Sequence, residues 1–341
     1  VSTFAEIFEK LASPGADVAC VREGFDALLA GEWTSVQIAA FVAALRISPL
    51  GRDYETLVAG ARALRATMTA VEHDLPDTLD TCGTGGDGRG TLNVSTAAAI
   101  LLAGLGVHVA KHGNRSVSSR SGSADVLEAM GLPLDVAPSR QAEILRRCHI
   151  AFLMAPAHHP ALRHAAPTRR ELGVRTLFNA LGPLANPARV SMQLVGVYDD
   201  ELRERVARAL GALGVRRAWV VRSCDGTDEI SPEGETRVSI LKPSGEVEET
   251  SVRPEDFGIA PSSLTHLDGG GPEENAKALF SILRGEPHPG ASAVVLNASA
   301  ALHLVRGISL RDAAHEVERA RMEGLGASTF EAWKSVAESM R

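Results

Sequence analysis

Near residue 72 the hydrophobic period of the chain changes, and that change limits what it can fold into. Before it, apolar residues recur at helical spacing: Phe4, Ile7, Phe8 and Leu11, then Val18, Val21, Phe25 and Leu28. Thr34 or Ser35 supplies a hydroxyl cap ahead of Ile38, Phe41, Val42 and Leu45, and DYETLVAGARALRA reads as a fourth helix. After about Leu75 the pattern becomes short apolar segments bounded by glycine and alternating with helices, the signature of an α/β unit. The expected fold class is therefore α/β, with a small all-helical domain over 1–72 and a larger α/β domain over 73–341, its central sheet flanked by helices. Strands are expected at TLDTC, GVHVAK, IAFLMA, MQLVGVY and RAWVVRS. Residues 162–190 fit neither pattern, being polar and rich in Pro and Gly, and are expected to cross back to the helical domain.

A length of 341 residues suits two domains. A net charge of -7 argues against nucleic acid or an anionic membrane as partner, so any anionic ligand must meet a local basic pocket. Cys20, Cys82, Cys148 and Cys224 lie far apart without a C-x-x-C pair, so neither zinc nor a disulfide framework is expected. No apolar run approaches the roughly 18 residues that span a bilayer, and VSTFAEIFEKLA does not read as a signal peptide. A reduced, cytoplasmic protein is the expectation.

The run from Thr81 to Ser95, TCGTGGDGRGTLNVS, carries the most chemistry. It satisfies G-x-G-x-x-G, yet Val94 through Ser123 contains no Asp or Glu to hold a dinucleotide ribose, and no Gly-Lys-Ser/Thr follows as in a P-loop. What remains is a strand end, glycines that let backbone N–H groups approach an anion, and a helix opening at Ser95-Thr96: a phosphate cradle. Hydrogen bonds to charged oxygens, about 1.5 to 3 kcal/mol each, would outweigh the helix dipole there.

Lys111-His-Gly-Asn-Arg-Ser-Val-Ser-Ser119 then packs cationic groups, an amide and hydroxyls into nine residues behind an apolar strand, close to a full donor set for a pyrophosphate ester. Ser123 is expected to cap the helix SADVLEAMG, a further phosphate seat. Asp228-Glu229 lie in the turn-rich DGTDEIS after a strand, where adjacent carboxylates suit Mg²⁺, a hard ion that prefers oxygen ligands.

Taken together, GTGGDG with NVST, KHGNR with SGSAD, HPAL, PTRRELGVRTLFNALGPLANP and DGTDEIS closely resemble anthranilate phosphoribosyltransferases, in order and spacing, from about residue 4 to about residue 335. GG at Gly269-Gly270, ENA at Glu274-Asn275-Ala276 and LNA at Leu296-Asn297-Ala298 also look like that family. The resemblance implies phosphoribosyl pyrophosphate bound between the two domains, anthranilate as acceptor, and a homodimer through the helical domains. Carried over at matching positions, phosphoribosyl pyrophosphate would meet Gly83, Gly86, Asp87, Thr91, Asn93, Val94, Ser95, Thr96, Lys111, His112, Gly113, Asn114, Arg115, Ser116, Val117, Ser118, Ser119 and Ser123. Anthranilate would meet Gly83, Asn114 and Arg169, and Mg²⁺ would be held by Ser95, Asp228 and Glu229. No residue is assigned as a protein acid or base. Leu92, His158, Cys224 and Thr227 depart from the family pattern without replacing a ligand.

Two rival functions stand beside this one. A pyrimidine nucleoside phosphorylase shares the fold, but its phosphate loop resembles KHSTGGVGDK rather than GTGGDG followed later by KHGNR. A non-catalytic relative that binds nucleic acid conflicts with the acidic charge. Asp199-Asp200 reads as a helix start, and His158-His159 as a channel or packing pair rather than a metal site.

Overall fold

Four helices build the N-terminal part: α1 (Phe4–Ala12), α2 (Val18–Ala30), α3 (Ser35–Ile47) and α4 (Tyr54–Thr67). The ends of α1 and α3 are set by capping boxes, in which the Thr3 and Thr34 hydroxyls accept from Glu6 N–H and Gln37 N–H and those side chains bond back. The structure, a computed structural model, describes residues 2–13, 16–85, 89–116 and 120–341.

Strands and helices then alternate as β1 (Thr78–Gly83), α5 (Val94–Gly104), β2 (His108–Gly113), α6 (Ser123–Ala129), α7 (Gln141–Cys148), β3 (Ile150–Met154), α8 (Ala155–His158), α9 (Ala166–Leu172), α10 (Leu177–Leu184), β4 (Met192–Gly196), α11 (Leu202–Ala212) and β5 (Arg217–Ser223). A hairpin of β6 (Thr236–Leu241) and β7 (Val247–Val252) follows. Four helices close the chain: α12 (Pro272–Leu283), α13 (Ala291–Arg306), α14 (Leu310–Met322) and α15 (Leu325–Ser339).

The seven strands form one sheet in the order β3-β2-β1-β4-β5-β6-β7. The first five run parallel, while β6 and β7 are antiparallel. Helices cover both faces, so β3, β4 and β5 read as largely apolar, while β1 and β2 bury the polar Thr78, Asp80, Thr81 and Lys111 among apolar residues. Met192, Leu194, Trp219 and Val221 pack into a core with α5 and α13. Their alternates Val195, Val197, Ala218 and Val220 pack into a second core shared with α2, α4, α10 and α11. This second core also takes in residues of 162–190: Phe178 meets the Phe25 ring edge-on at 5.4 Å, and Phe25 meets Phe41 at 5.6 Å.

Strand order reverses between β1 and β4, which makes the carboxyl ends of these two strands the switch point where an open α/β sheet leaves a crevice. Two expectations need correction. The hairpin β6–β7 is absent from the expected strands, and Ser123 is the first residue of α6 rather than its cap. Gly122 holds the cap position, its N–H donating to Asp125 Oδ2 at 2.9 Å. No helix among the described residues is long and apolar enough to cross a membrane.

Candidate active site

At the switch point, a small cavity is lined by Thr81 and Cys82 of β1, Ser95 and Ala98 of α5, Leu194 and Gly196 of β4, Val221 of β5, Asp228, Glu229 and Asn297. Ser95, Asp228 and Glu229, expected together at a metal, thus line one cavity. Two glycines permit this. A Cβ on Gly196 would lie 1.6 Å from the Asp228 carbonyl oxygen, and one on Gly83 would lie 2.7 Å from Asp228 Oδ2. Only hydrogen lets β1 and β4 approach the acidic loop so closely.

The acidic loop is held from both sides. Thr227, buried, donates its N–H to Asp225 Oδ1 at 2.9 Å. Asn297 on α13 accepts from Ile230 N–H at 3.0 Å and donates to Ile230 O at 3.2 Å. Arg89, just after the glycine run, donates to the Asp225 carbonyl and joins the two loops. Among the described residues no cluster of three His, Cys, Asp or Glu side chains could hold a metal. A hydroxyl and two carboxylates remain, an all-oxygen donor set of the kind Mg²⁺ takes while keeping waters or phosphate oxygens.

Lys111 departs from a simple phosphate-loop picture. Its side chain turns inward, and Nζ donates to the Thr81 carbonyl and to Ser95 Oγ, the latter at 3.2 Å. Asp80, fully buried on β1, supplies a counter-charge in its field, and burial pushes the Asp80 carboxyl up to about 6 although Lys111 and a hydrogen bond from Asn186 oppose the shift. Asn186 Nδ2 donates to Asp80 Oδ2 and to Ala110 O, both at 2.8 Å, so β1 and β2 are tied to the segment after α10.

The rest of the basic loop is shaped by α6. Asn114 O accepts from Ala124 N–H at 3.2 Å and from Ser123 Oγ at 3.4 Å. Ser116 N–H donates to Asp125 Oδ2 at 2.8 Å, and a Cβ on Gly113 would lie 2.2 Å from Ser123 Oγ. Arg115 turns toward Glu128 and Asp125. At the head of α5, Val94 and Thr96 are buried and Thr96 Oγ1 has no hydrogen-bond partner among the described residues, while Thr91 bridges to Asp268. Gly86, Asp87, Val117, Ser118 and Ser119 lie outside the described residues.

Arg169 sits on α9 with its Cζ 4.9 Å from the centre of the Phe178 ring, and burial pushes its guanidinium down from the ordinary arginine range. No carboxylate among the described residues lies within ion-pair distance of it. The helix α10 that carries Phe178 also reaches the basic loop, since His112 Nδ1 donates to Gly182 O at 3.2 Å. The rings of His112 and His159 are 5.1 Å apart, and His158 donates to Thr69 O at 2.7 Å. Burial, reinforced by the fields of neighbouring histidines, holds His112 down at about 3 and His159 at about 4, so both are neutral. Sequence reasoning did not assign Asp80, Asn186, Gly196 or Asn297, although LNA and LANP carried two of them.

A doubly covered, largely parallel sheet with Ser95, Asp228 and Glu229 on a cavity at its switch point, beside two glycine-bearing loops, fits an α/β enzyme for phosphorylated substrates. The model of the glycosyl transferase family, a/b domain, matches residues 75–326. An anthranilate phosphoribosyltransferase of Thermomicrobium roseum is 50% identical over 290 residues, 84% of this chain and 82% of its own. One of Symbiobacterium thermophilum is 48% identical over 275 residues, 81% of this chain and 80% of its own. The solved anthranilate phosphoribosyltransferase of Thermus thermophilus superposes with a TM-score of 0.89 at 37% identity, covering 97% of this chain and 99% of that one. That of Saccharomyces cerevisiae in complex with PRPP and Mg reaches 0.91 at 27% identity, covering 98% of each chain. The chain belongs to the anthranilate phosphoribosyltransferases.

Proposed function

We infer that this chain transfers the 5-phosphoribosyl group of phosphoribosyl pyrophosphate to the amine of anthranilate, giving N-(5-phosphoribosyl)anthranilate and pyrophosphate in L-tryptophan biosynthesis. The observation that carries this reading is the convergence of Ser95, Asp228 and Glu229 on one cavity at the switch point. Their hard oxygen donors fit Mg²⁺, and Ser95, Asp228 and Glu229 would hold it. When bound, the ion would withdraw charge from the departing pyrophosphate.

The reaction breaks the bond from the anomeric carbon to pyrophosphate and forms one to the amine nitrogen, which then loses a proton to solvent. An aromatic amine is already a neutral nucleophile, so no protein base is required. The chain's task is to neutralise the leaving group and align two substrates, effects that can each supply several kcal/mol. Backbone N–H groups of the glycine run and the head of α5 would receive phosphate oxygens, and the orphaned Thr96 hydroxyl is a further donor there. Lys111 would keep the Thr81 carbonyl and Ser95 in place while adding positive field. Arg169, which meets no carboxylate among the described residues, would orient the anthranilate carboxylate with its planar fork.

We further propose the division into a helical unit over 1–72, joined by 162–190, and an α/β unit, which is supported by the core that Phe25, Phe41 and Phe178 share. A homodimer through the helical unit is supported by Val36 and Ile47 of α3, which are 78% and 85% exposed. Mixing the protein with anthranilate, phosphoribosyl pyrophosphate and Mg²⁺ and following anthranilate fluorescence tests the function. The fluorescence should fall only when all three are present. Cleavage of thymidine by phosphate with no loss of anthranilate would instead identify a nucleoside phosphorylase.

A further inference from the structure

We propose that Asn275 is a positioning residue for the phosphoribosyl pyrophosphate site, fixing from the first turn of α12 the spacing between the loop after β1 and the loop after β2. This rests on the functional reading above. Asn275 is 1% exposed and lies 182 residues along the chain from Asn93, which it touches. Its amide is the middle link of three hydrogen bonds. Gly270 N–H donates to Asn275 Oδ1 at 2.8 Å, Asn275 Nδ2 donates to Asn93 Oδ1 at 3.0 Å, and Asn93 Nδ2 donates to the Ser121 carbonyl at 3.2 Å.

The two ends of this relay settle its direction. A backbone N–H can only donate and a carbonyl can only accept, so turning either amide over would set like groups face to face. The relay therefore joins three separate segments in one register: the loop before α12, the head of α5 and the loop after β2. Backbone lacing supports the same seam. Leu92 N–H donates to Leu267 O at 2.8 Å, Gly269 N–H donates to Gly90 O at 3.0 Å, and Arg120 Nη1 reaches Gly269 O at 3.3 Å. Gly269 lies so close that a Cβ there would stand 2.7 Å from Thr91 O. Each polar atom of the Asn93 side chain makes a hydrogen bond within the protein, and through them Asn275 holds Asn93 and the backbone at the head of α5 in place.

The test uses Asn275→Ala and Asn275→Leu, the second keeping the branched shape, with more bulk, without either hydrogen bond. Thermal melting checks folding, and steady-state kinetics give KM for each substrate with the other saturating. The expected result is a KM for phosphoribosyl pyrophosphate raised about tenfold in both variants, with KM for anthranilate changed less than about twofold, since of the two bonds lost one holds Asn93 at the head of α5 and the other only ties Asn275 to Gly270 before its own helix. A folded variant with unchanged KM for phosphoribosyl pyrophosphate, or an equal rise in both KM values, overturns the proposal. So does failure of both variants to fold, which would assign Asn275 to stability. If the wild-type protein does not consume anthranilate, the functional reading fails by itself. Calorimetry with phosphoribosyl pyrophosphate alone then decides Asn275: weaker binding in the variants than in the wild type upholds positioning, and equal or absent binding overturns it.

Discussion

Arg115 and Arg169 carry the same group, and the fold gives them opposite surroundings. Arg115 Nη1 donates to Glu128 Oε2 at 2.6 Å and to Asp125 Oδ1 at 3.2 Å, and Nη2 donates to Glu128 Oε1 at 2.9 Å, all in an exposed setting. Arg169 is half-buried over Phe178 and meets no carboxylate among the described residues. A guanidinium already matched by protein carboxylates shapes the loop that carries it. One held in a dehydrated setting with no carboxylate among the described residues would gain from a ligand carboxylate, because burying such a charge unpaired is unfavourable. Two acidic pairs also differ in where they lie: Asp125 and Glu128 sit beside Arg115 of the basic loop, and Asp228 and Glu229 line the cavity with Ser95.

The largest effect is therefore expected from the cavity pair. Asp228→Asn with Glu229→Gln should lower turnover by about a hundredfold or more at limiting Mg²⁺, with partial recovery at high Mg²⁺. A Mg²⁺ titration that superposes on the wild type would break the comparison. Next comes Arg169→Ala, expected to reduce kcat/KM for anthranilate by about 1.5 to 3 kcal/mol of charge-assisted bonding. Calorimetry should find phosphoribosyl pyrophosphate binding nearly constant in that variant. Loss of this binding with anthranilate saturation intact would move Arg169 to the phosphate site.

Arg115→Ala should act more gently, raising KM for phosphoribosyl pyrophosphate by about threefold, because Asp125 still accepts from Ser116 N–H and Gly122 N–H when the exposed ion pairs are gone. A larger loss than that of Arg169→Ala would show that Arg115 leaves its carboxylates to bind substrate. An effect confined to the KM for anthranilate would place Arg115 outside the phosphate site.

The smallest effect concerns pH. His112 and His159 have folded values of about 3 and about 4 against an ordinary 6.5, so the stability they lend is complete above about 6.5 and is lost as pH falls through those values. Asp80, at about 6 against 3.8, works the other way, its contribution fading as pH rises through 6. Two histidines outweigh one carboxyl, so Tm should fall between about pH 7.5 and about pH 5. His159→Asn should flatten that fall, and an unchanged slope would show that His159 is not held neutral.

Local pattern made much of this molecule legible. Apolar runs marked β3, β4 and β5 because both sheet faces are covered, glycine boundaries marked the more polar β1, and hydroxyls marked α3 because a capping box is written in four adjacent residues. The hairpin escaped because β7, VEETSV, lies at the sheet edge with four consecutive exposed residues and no apolar face to betray it. Lys111 was legible as a buried-strand cation near phosphate, but its inward turn to Thr81 and Ser95, in the field of the buried Asp80, was not. Asn275 and Asn297 escaped for a different reason. Their partners lie 182 and 67 residues away, and nothing local distinguishes a relay amide from a surface one.

The most direct measurement compares anthranilate with aniline, which lacks the carboxylate, as acceptors for the wild-type protein and for Arg169→Ala, following pyrophosphate release with phosphoribosyl pyrophosphate and Mg²⁺ present. A site that holds a buried charge partner for a substrate group rejects the analogue without it. The account predicts that the wild-type protein uses anthranilate and strongly disfavours aniline, and that Arg169→Ala loses most of this preference by losing anthranilate activity. Equal use of both amines by the wild-type protein, or a preference that survives unchanged in Arg169→Ala, would contradict it.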